Sequence, residues 1–75
     1  MREGHVIYLI MDKEGRYITD EAGYARIWFS KKQAEMDKKK LEKKLKLKLK
    51  VVGREFFVFE VIPKNRRIEI GWNVI

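Results

Sequence analysis

Cysteine is absent from this chain, and histidine and proline each occur once. Without cysteine there is no disulfide, thiolate metal site or thiol nucleophile, and His5 alone cannot form a histidine metal cluster. We therefore predict that the protein binds no metal and has no thiol-based redox function.

The sequence also lacks a long apolar run. The longest, residues 6–11, has six residues, whereas a helix needs ~20 to span a bilayer. The first four residues do not resemble a secretory signal, because the apolar run behind them is short and no small-residue cleavage site follows. We expect a cytoplasmic protein that does not enter membranes.

Signatures of catalysis are missing as well. There is no glycine-rich phosphate loop, and no nucleophile stands at a suitable spacing from a base. Ser30 is accounted for as a helix cap. Four acids fall in predicted turns, where acids are ordinarily solvated: Asp12, Glu14, Asp20 and Glu21. We expect no enzyme activity, no catalytic residue and no cofactor.

What the chain does contain is enough apolar residues for one core, together with much charge. Of its 75 residues, 45% are apolar and 12% aromatic, which is too many for a disordered segment. The length predicts a single domain over residues 1–75. Lysine and glutamate are abundant while uncharged polar residues are few, a bias typical of thermophile proteins.

The first part of the chain predicts three strands. Residues 5–11 are apolar on both faces, which indicates a central strand covered on both sides. A turn at 12–15, where Gly15 can adopt a positive φ, leads to a short returning strand at 16–19. After a loop, residues 24–29 alternate as a third strand. Its two faces carry Tyr24, Arg26 and Trp28 on one side and Ala25, Ile27 and Phe29 on the other.

A helix beginning at Lys31 is the clearest local feature. Ser30 and Gln33 match a capping box. In that motif the serine hydroxyl accepts a bond from the amide three residues on, and the glutamine side chain reaches back to the cap.

The end of this helix is less well defined. Its apolar stripe contains Ala34, Leu41 and Leu45, which lie within about 40° of one another on a helical wheel. One option extends that stripe to a helix end just before Gly53. The other is a strand, because residues 45–51 alternate without a fault. We favour a helix to about residue 45 followed by a strand.

The rest of the chain predicts two further strands. Residues 53–55 and 63–66 read as turns, and residues 56–62 and 67–72 as strands. The prediction is a single small α+β domain with a mostly antiparallel β-sheet and one amphipathic, lysine-rich helix. Its order is β-β-β-α-β-β-β, and the strand directly after the helix is the least certain element.

Burial of the sheet raises the question of a partner. Two predicted strands are apolar on both faces, yet one helix can cover only one face of a sheet. A chain this short, without disulfide or metal, often needs another way to bury apolar area. We therefore predict a homodimer that pairs the uncovered faces. A small barrel-like core would close the same faces without a partner.

The positive charge is concentrated in one segment. The chain has 18 basic and 11 acidic residues and a net charge of +7. Residues 31–50 contain ten lysines and three acids, so they carry the whole of that charge, and the remaining residues balance. The positive potential is therefore local.

On the helical wheel this charge has one direction. With Ala34 at 0°, the acids Glu35, Asp37 and Glu42 flank the apolar stripe. The outward sector, from about 120° to 280°, contains lysines and a single apolar residue, Met36. The lysines of this sector are Lys32, Lys39, Lys40, Lys43 and Lys44.

A sector without acids favours a phosphate-binding surface. Only two i,i+4 ion pairs are expected, Glu35–Lys39 and Glu42–Lys46, whereas a helix charged for solubility would mix signs more evenly. Lysines suit contact with the nucleic-acid backbone, and the lack of arginine in the segment argues against reading of guanine. We predict a small basic module from a thermophile that binds nucleic-acid backbones without sequence preference.

Two other interpretations stay open. The lysines are the solvated charges of a thermophile helix, or they bind an acidic protein. In the second case the chain is a homodimeric structural or regulatory module, for example a mobile-element product. If residues 46–52 form a strand, Lys46, Lys48 and Lys50 line one of its faces, which also protects an edge strand from aggregation.

Three arginines outside the helix complete the candidate site. Arg26 stands between Tyr24 and Trp28, which could stack on bases but are equally explained as core or interface residues. Arg66 and Arg67 lie at a predicted hairpin tip. The predicted nucleic-acid-binding residues are Lys32, Lys39, Lys40, Lys43, Lys44, Lys46, Arg26, Arg66 and Arg67.

Overall fold

The computed structural model of the chain describes residues 6–55 and 60–70. Its elements are β1 (Ile7–Asp12), β2 (Tyr17–Thr19), α1 (Lys31–Leu45), β3 (Leu49–Arg54) and β4 (Arg67–Glu69), with a 3-10 turn at Lys64–Arg66. The strands form one sheet in the order β3-β1-β2-β4. β1 pairs antiparallel with β3 and β2, and β2 pairs parallel with β4. One helix and a mostly antiparallel sheet confirm the predicted α+β class.

β1 is a central strand, as its apolar sequence predicts. It pairs with β3 along its whole length and with β2 on its other side. Leu9 and Ile10 are both 0% exposed, and neighbours on a strand point to opposite faces. Both faces of β1 are therefore covered within one chain. The homodimer stays a prediction, but the burial of Leu9 removes one of the reasons for it.

The hairpin between β1 and β2 is held by one carboxylate. Asp12 Oδ1 accepts bonds from the amides of Glu14 (3.0 Å) and Arg16 (2.8 Å), and its Oδ2 accepts one from Arg16 Nε (2.8 Å). Gly15 has a φ of 85°, a conformation that favours glycine. The predicted turn at 12–15 is confirmed, and Asp12 has a structural role in it.

Residues 24–29 do not form the continuous third strand that was predicted. Ala25 forms an isolated bridge with Thr19 of β2, and Trp28 forms one with Tyr8 of β1. The segment therefore lies at the end of the β1–β2 hairpin, where the two strands separate. Within three residues its bridging partner changes from β2 to β1. A regular strand needs one continuous partner, which alternation in the sequence does not reveal.

The helix begins as predicted, with a difference in its cap. Ser30 is the N-cap, and its Oγ accepts from the Gln33 amide at 3.3 Å. The Gln33 side chain does not reach back to the cap, because its Nε2 instead donates to Asp37 Oδ1 at 3.1 Å. One half of the predicted capping box is formed.

The helix ends at Leu45, which confirms the shorter of the two alternatives. Lys46 adopts the left-handed conformation, with a φ of 58°, and its amide donates to the Glu42 carbonyl at 2.8 Å. Because the chain turns at Lys46, the next strand begins later than predicted: β3 starts at Leu49 rather than at residue 45 or 46. Gly53 lies inside β3, so the turn predicted at 53–55 is wrong.

The C-terminal part is described in fragments. Of the strand predicted at 56–62, residues 56–59 lie outside the described ranges, and Val61 forms a single bridge to Tyr24. A turn is present at 63–66, as predicted, and β4 follows at Arg67–Glu69. Of the last predicted strand, residue 70 lies just beyond the end of β4, and residues 71 and 72 lie outside the described ranges. His5 also lies outside them.

The core lies between α1 and the sheet, and one polar bond crosses it. Its buried residues are Ile10, Ile18, Trp28, Ala34, Leu41, Leu49, Ile68 and Ile70. Asp37 of α1 is only 8% exposed, and its Oδ2 accepts from Trp28 Nε1 at 2.7 Å. A buried indole N–H needs such a partner, and the helix supplies it. This bond lies on the same side of α1 as the buried Ala34 and Leu41, so all three favour that side facing the sheet.

Asp37→Leu should destabilise the fold by about 1–3 kcal/mol, because it leaves the Trp28 N–H buried without an acceptor. Asp37→Asn keeps one acceptor oxygen and should cost less than about 1 kcal/mol. Urea unfolding followed by circular dichroism measures both. Equal stability of the Leu and Asn variants would contradict the role given to this bond.

Asp12 should make the stability depend on pH. Burial raises the pKa of Asp12, but the bonds from Arg16 and from the Glu14 amide lower it by more, so that it lies below its ordinary value. The carboxylate therefore stabilises the fold at pH values above the unfolded pKa of about 3.9, and this is lost as pH falls through the lower folded pKa.

Asp12→Asn should accordingly cost about 1 kcal/mol at pH 7, because the charge on the acceptor is lost. The difference between the two proteins should shrink as pH falls below about 3.9 and through the lower folded pKa of Asp12. Urea unfolding at pH 7 and at a series of lower pH values tests this. A difference that stays the same as the pH is lowered would show that the Asp12 charge is not involved.

Candidate nucleic-acid interface

The outward side of α1 is a surface of lysines. Five of them are exposed and are here called the lysine face: Lys32, Lys39, Lys40, Lys43 and Lys44. They span about 18 Å of helix at a rise of 1.5 Å per residue. Among residues 6–55 and 60–70, no carboxylate lies within 4.0 Å of any of these ammonium groups. The face predicted from the helical wheel is therefore exposed and carries uncompensated charge.

The acids of the same segment are used elsewhere. Asp37 is buried against Trp28, and Glu42 Oε2 accepts from the backbone amide of Leu49 at 2.9 Å. Glu35 Oε1 lies 3.7 Å from Lys38 Nζ. Each acid thus supports the helix or its connection to β3 and leaves the lysine face unneutralised.

The two predicted i,i+4 pairs are not formed. Glu35 pairs with Lys38, one residue earlier than Lys39. Glu42 binds the start of β3 instead of Lys46, because the left-handed turn at Lys46 brings the chain back over the end of the helix. Helical spacing alone does not account for this competition from the next strand.

The lysines after the helix do not form the row expected of a strand. Lys46 caps the helix, Lys48 lies in the connection, and only Lys50 belongs to β3. All three are exposed. β3 is an edge of the described sheet, so the position of Lys50 fits protection of that edge. Lys46 directly follows α1 and extends its positive charge beyond the last turn.

Arg66 and Arg67 bind acceptors of their own fold. Arg66 Nε and Nη2 donate to the Gly15 carbonyl at 3.3 and 3.2 Å, which joins the 3-10 turn to the β1–β2 hairpin. Arg67 donates to the Ile62 carbonyl, and its Nη1 lies 3.0 Å from Glu69 Oε2. None of these bonds involves α1, and both arginines have a structural role.

The predicted trio of Tyr24, Arg26 and Trp28 is divided by the fold. Trp28 is 7% exposed and belongs to the core, which is the structural alternative considered for it. Arg26 is half-buried, and within the described part of the chain its buried Nε has no hydrogen-bond partner. Arg26 also lines an open cavity of about 540 Å³, together with Asp20, Tyr24, Ala25 and Ile27.

The charge in this cavity is mixed. Asp20 is one of its lining residues, and its Oδ1 accepts from the amides of Ala22 (3.0 Å) and Tyr24 (2.9 Å). Asp20 therefore closes its own turn, as Asp12 does in the first hairpin. The cavity combines one cation and one anion, whereas the lysine face is purely cationic.

The sequence interpretation missed one exposed residue at the start of the helix. Phe29 is 81% exposed and directly precedes the N-cap. An apolar residue in this place often packs against the fourth residue of the helix. Here that residue is Ala34, which is fully buried on the core side of the helix. Its methyl group is too short to pack against Phe29. The small size of Ala34 is the signal that could have identified the exposed phenylalanine.

In the parts of the chain that the structure describes, no helix is long and apolar enough to cross a membrane. Comparisons of the sequence with known protein families and characterised proteins, and of the fold with solved structures, found no match.

Proposed function

We propose that this chain is a small binding module that contacts the sugar-phosphate backbone of nucleic acids through the lysine face, without sequence preference. One observation carries the proposal: five exposed lysines lie on one side of a 15-residue helix with no described carboxylate partner. A linear polyanion offers a row of charges complementary to such a surface.

Electrostatic repulsion within the face supports a polyanionic ligand. Lys39 and Lys43, like Lys40 and Lys44, are four residues apart and are therefore neighbours on the helix surface. Like charges at this spacing repel, and the acids that could have relieved the repulsion are used inside the fold. Bound phosphates would relieve it and would release their condensed counterions, which favours binding at low salt.

The type of cation argues for backbone contact. A lysine ammonium group is a compact, hydrated point charge, whereas base recognition in the major groove relies on the bidentate geometry of arginine. Residues 31–50 contain no arginine, and Arg66 and Arg67 bind carbonyls of their own chain. The proposed surface is therefore restricted to the lysine face, with Lys46 at its end.

The salt dependence of binding tests the proposal. Fluorescence anisotropy with a labelled 20-base-pair duplex, from 50 to 300 mM salt, should give log K falling linearly with log salt. If four or more lysines contact phosphates, the slope should be about −3.5 or steeper. Absence of binding at 50 mM salt, or a flat slope, would reject the proposal.

Charge-neutralising variants locate the surface. Replacing Lys32, Lys39, Lys40 and Lys43 together by glutamine should weaken binding to all sequences alike and reduce the salt slope. The matched control replaces four exposed lysines elsewhere and has the same net charge: Lys13, Lys48, Lys50 and Lys64. Equal losses in the two variants would show that net charge, and not the lysine face, determines binding.

A further inference from the structure

Phe29 is an exposed aromatic side chain on a fixed backbone. Its predecessor, Trp28, exchanges two backbone bonds with Tyr8, of 2.8 and 2.9 Å, and is buried in the core. Its successor, Ser30, is the N-cap of α1. Because Phe29 is held between these two residues, its 81% exposure is imposed by the fold. Binding a ligand there therefore requires no ordering of the backbone, only of the ring itself.

The position of Phe29 relates it to the lysine face. It lies three residues before Lys32, the first lysine of that face. Met36, which is 47% exposed, lies within the same outward sector of α1. The helix and the residue before its cap therefore expose positive charge together with two apolar side chains, one of them aromatic.

We propose that the ligand of this surface is a single-stranded nucleic acid, with Phe29 stacking on an unpaired base while the lysine face binds phosphates. This inference rests on the proposed function. Sequence-tolerant binding of single strands uses this combination, a basic surface and an aromatic ring that accepts any base. A duplex offers the same phosphates but keeps its base faces stacked inside the helix. The lysines should then bind both forms, and Phe29 should favour the single strand.

The experiment compares a labelled 20-nucleotide oligothymidine with the 20-base-pair duplex at 50 mM salt. Phe29→Ala and Phe29→Leu should lower the affinity for the single strand roughly 5- to 150-fold, the range expected for loss of one stacked base. Affinity for the duplex should change less than about two-fold. Phe29→Tyr keeps an aromatic face and should bind the single strand nearly as the native protein does.

The Leu variant distinguishes stacking from simple apolar contact, because it keeps an apolar side chain but has no aromatic face. Melting followed by circular dichroism should show unchanged stability in all three variants, since the ring is exposed. Native affinity of Phe29→Leu for the single strand would overturn the inference, and so would equal losses on both ligands. The proposed function would stand in both cases.

Failure of the proposed function gives a different result. If the native protein binds neither ligand at 50 mM salt, both proposals fall. If light scattering shows that Phe29→Ala converts a dimer of the native chain to a monomer, Phe29 is covered by a second copy, and the single-strand inference is overturned.

Discussion

The hydrogen bond between Asp37 and Trp28 acts together with the buried Ala34 and Leu41 to orient α1, and the rest of the surface depends on that orientation. It joins the middle of the helix to the segment that bridges β1 and β2. Because a buried indole N–H and a buried carboxylate each require a partner, this pairing favours one rotation of the helix over others. With Asp37 and the apolar stripe turned inward, the opposite side of the helix can only face solvent.

That orientation also produces the charge of the exposed side. The three acids among residues 31–50 could have neutralised neighbouring lysines, but Asp37 faces the core, Glu42 binds the start of β3, and Glu35 contacts Lys38. Stability of the fold and positive charge of the surface thus have a common origin.

Features set by neighbouring residues could be predicted from the sequence. The N-cap at Ser30, the turn at Gly15 and the outward lysines follow from capping, positive φ and helical periodicity. The apolar run of β1 likewise indicates a central strand. These predictions hold because each depends on a few residues that are close in the chain.

Features that depend on distant partners could not be predicted. The Gln33 side chain turns to Asp37, whose position is set by Trp28. The segment at 24–29 changes partner because the β1–β2 hairpin opens, which no local pattern reports. Phe29 is exposed for a related reason, since its place relative to α1 follows from the pairing of Trp28 with Tyr8. The residue that most sharpens the proposed function is therefore one that required the fold.

The most direct test of this account observes the lysine side chains themselves. In a ¹³C-labelled protein titrated with oligothymidine at low salt, NMR signals of the lysine Cε–Hε groups report which ammonium groups meet phosphate. We predict that Lys32, Lys39, Lys40, Lys43 and Lys44 shift together while Lys13 and Lys64 remain unchanged. Uniform shifts across all lysines, or none at all, would contradict the claim that the fold gathers its charge into one binding surface.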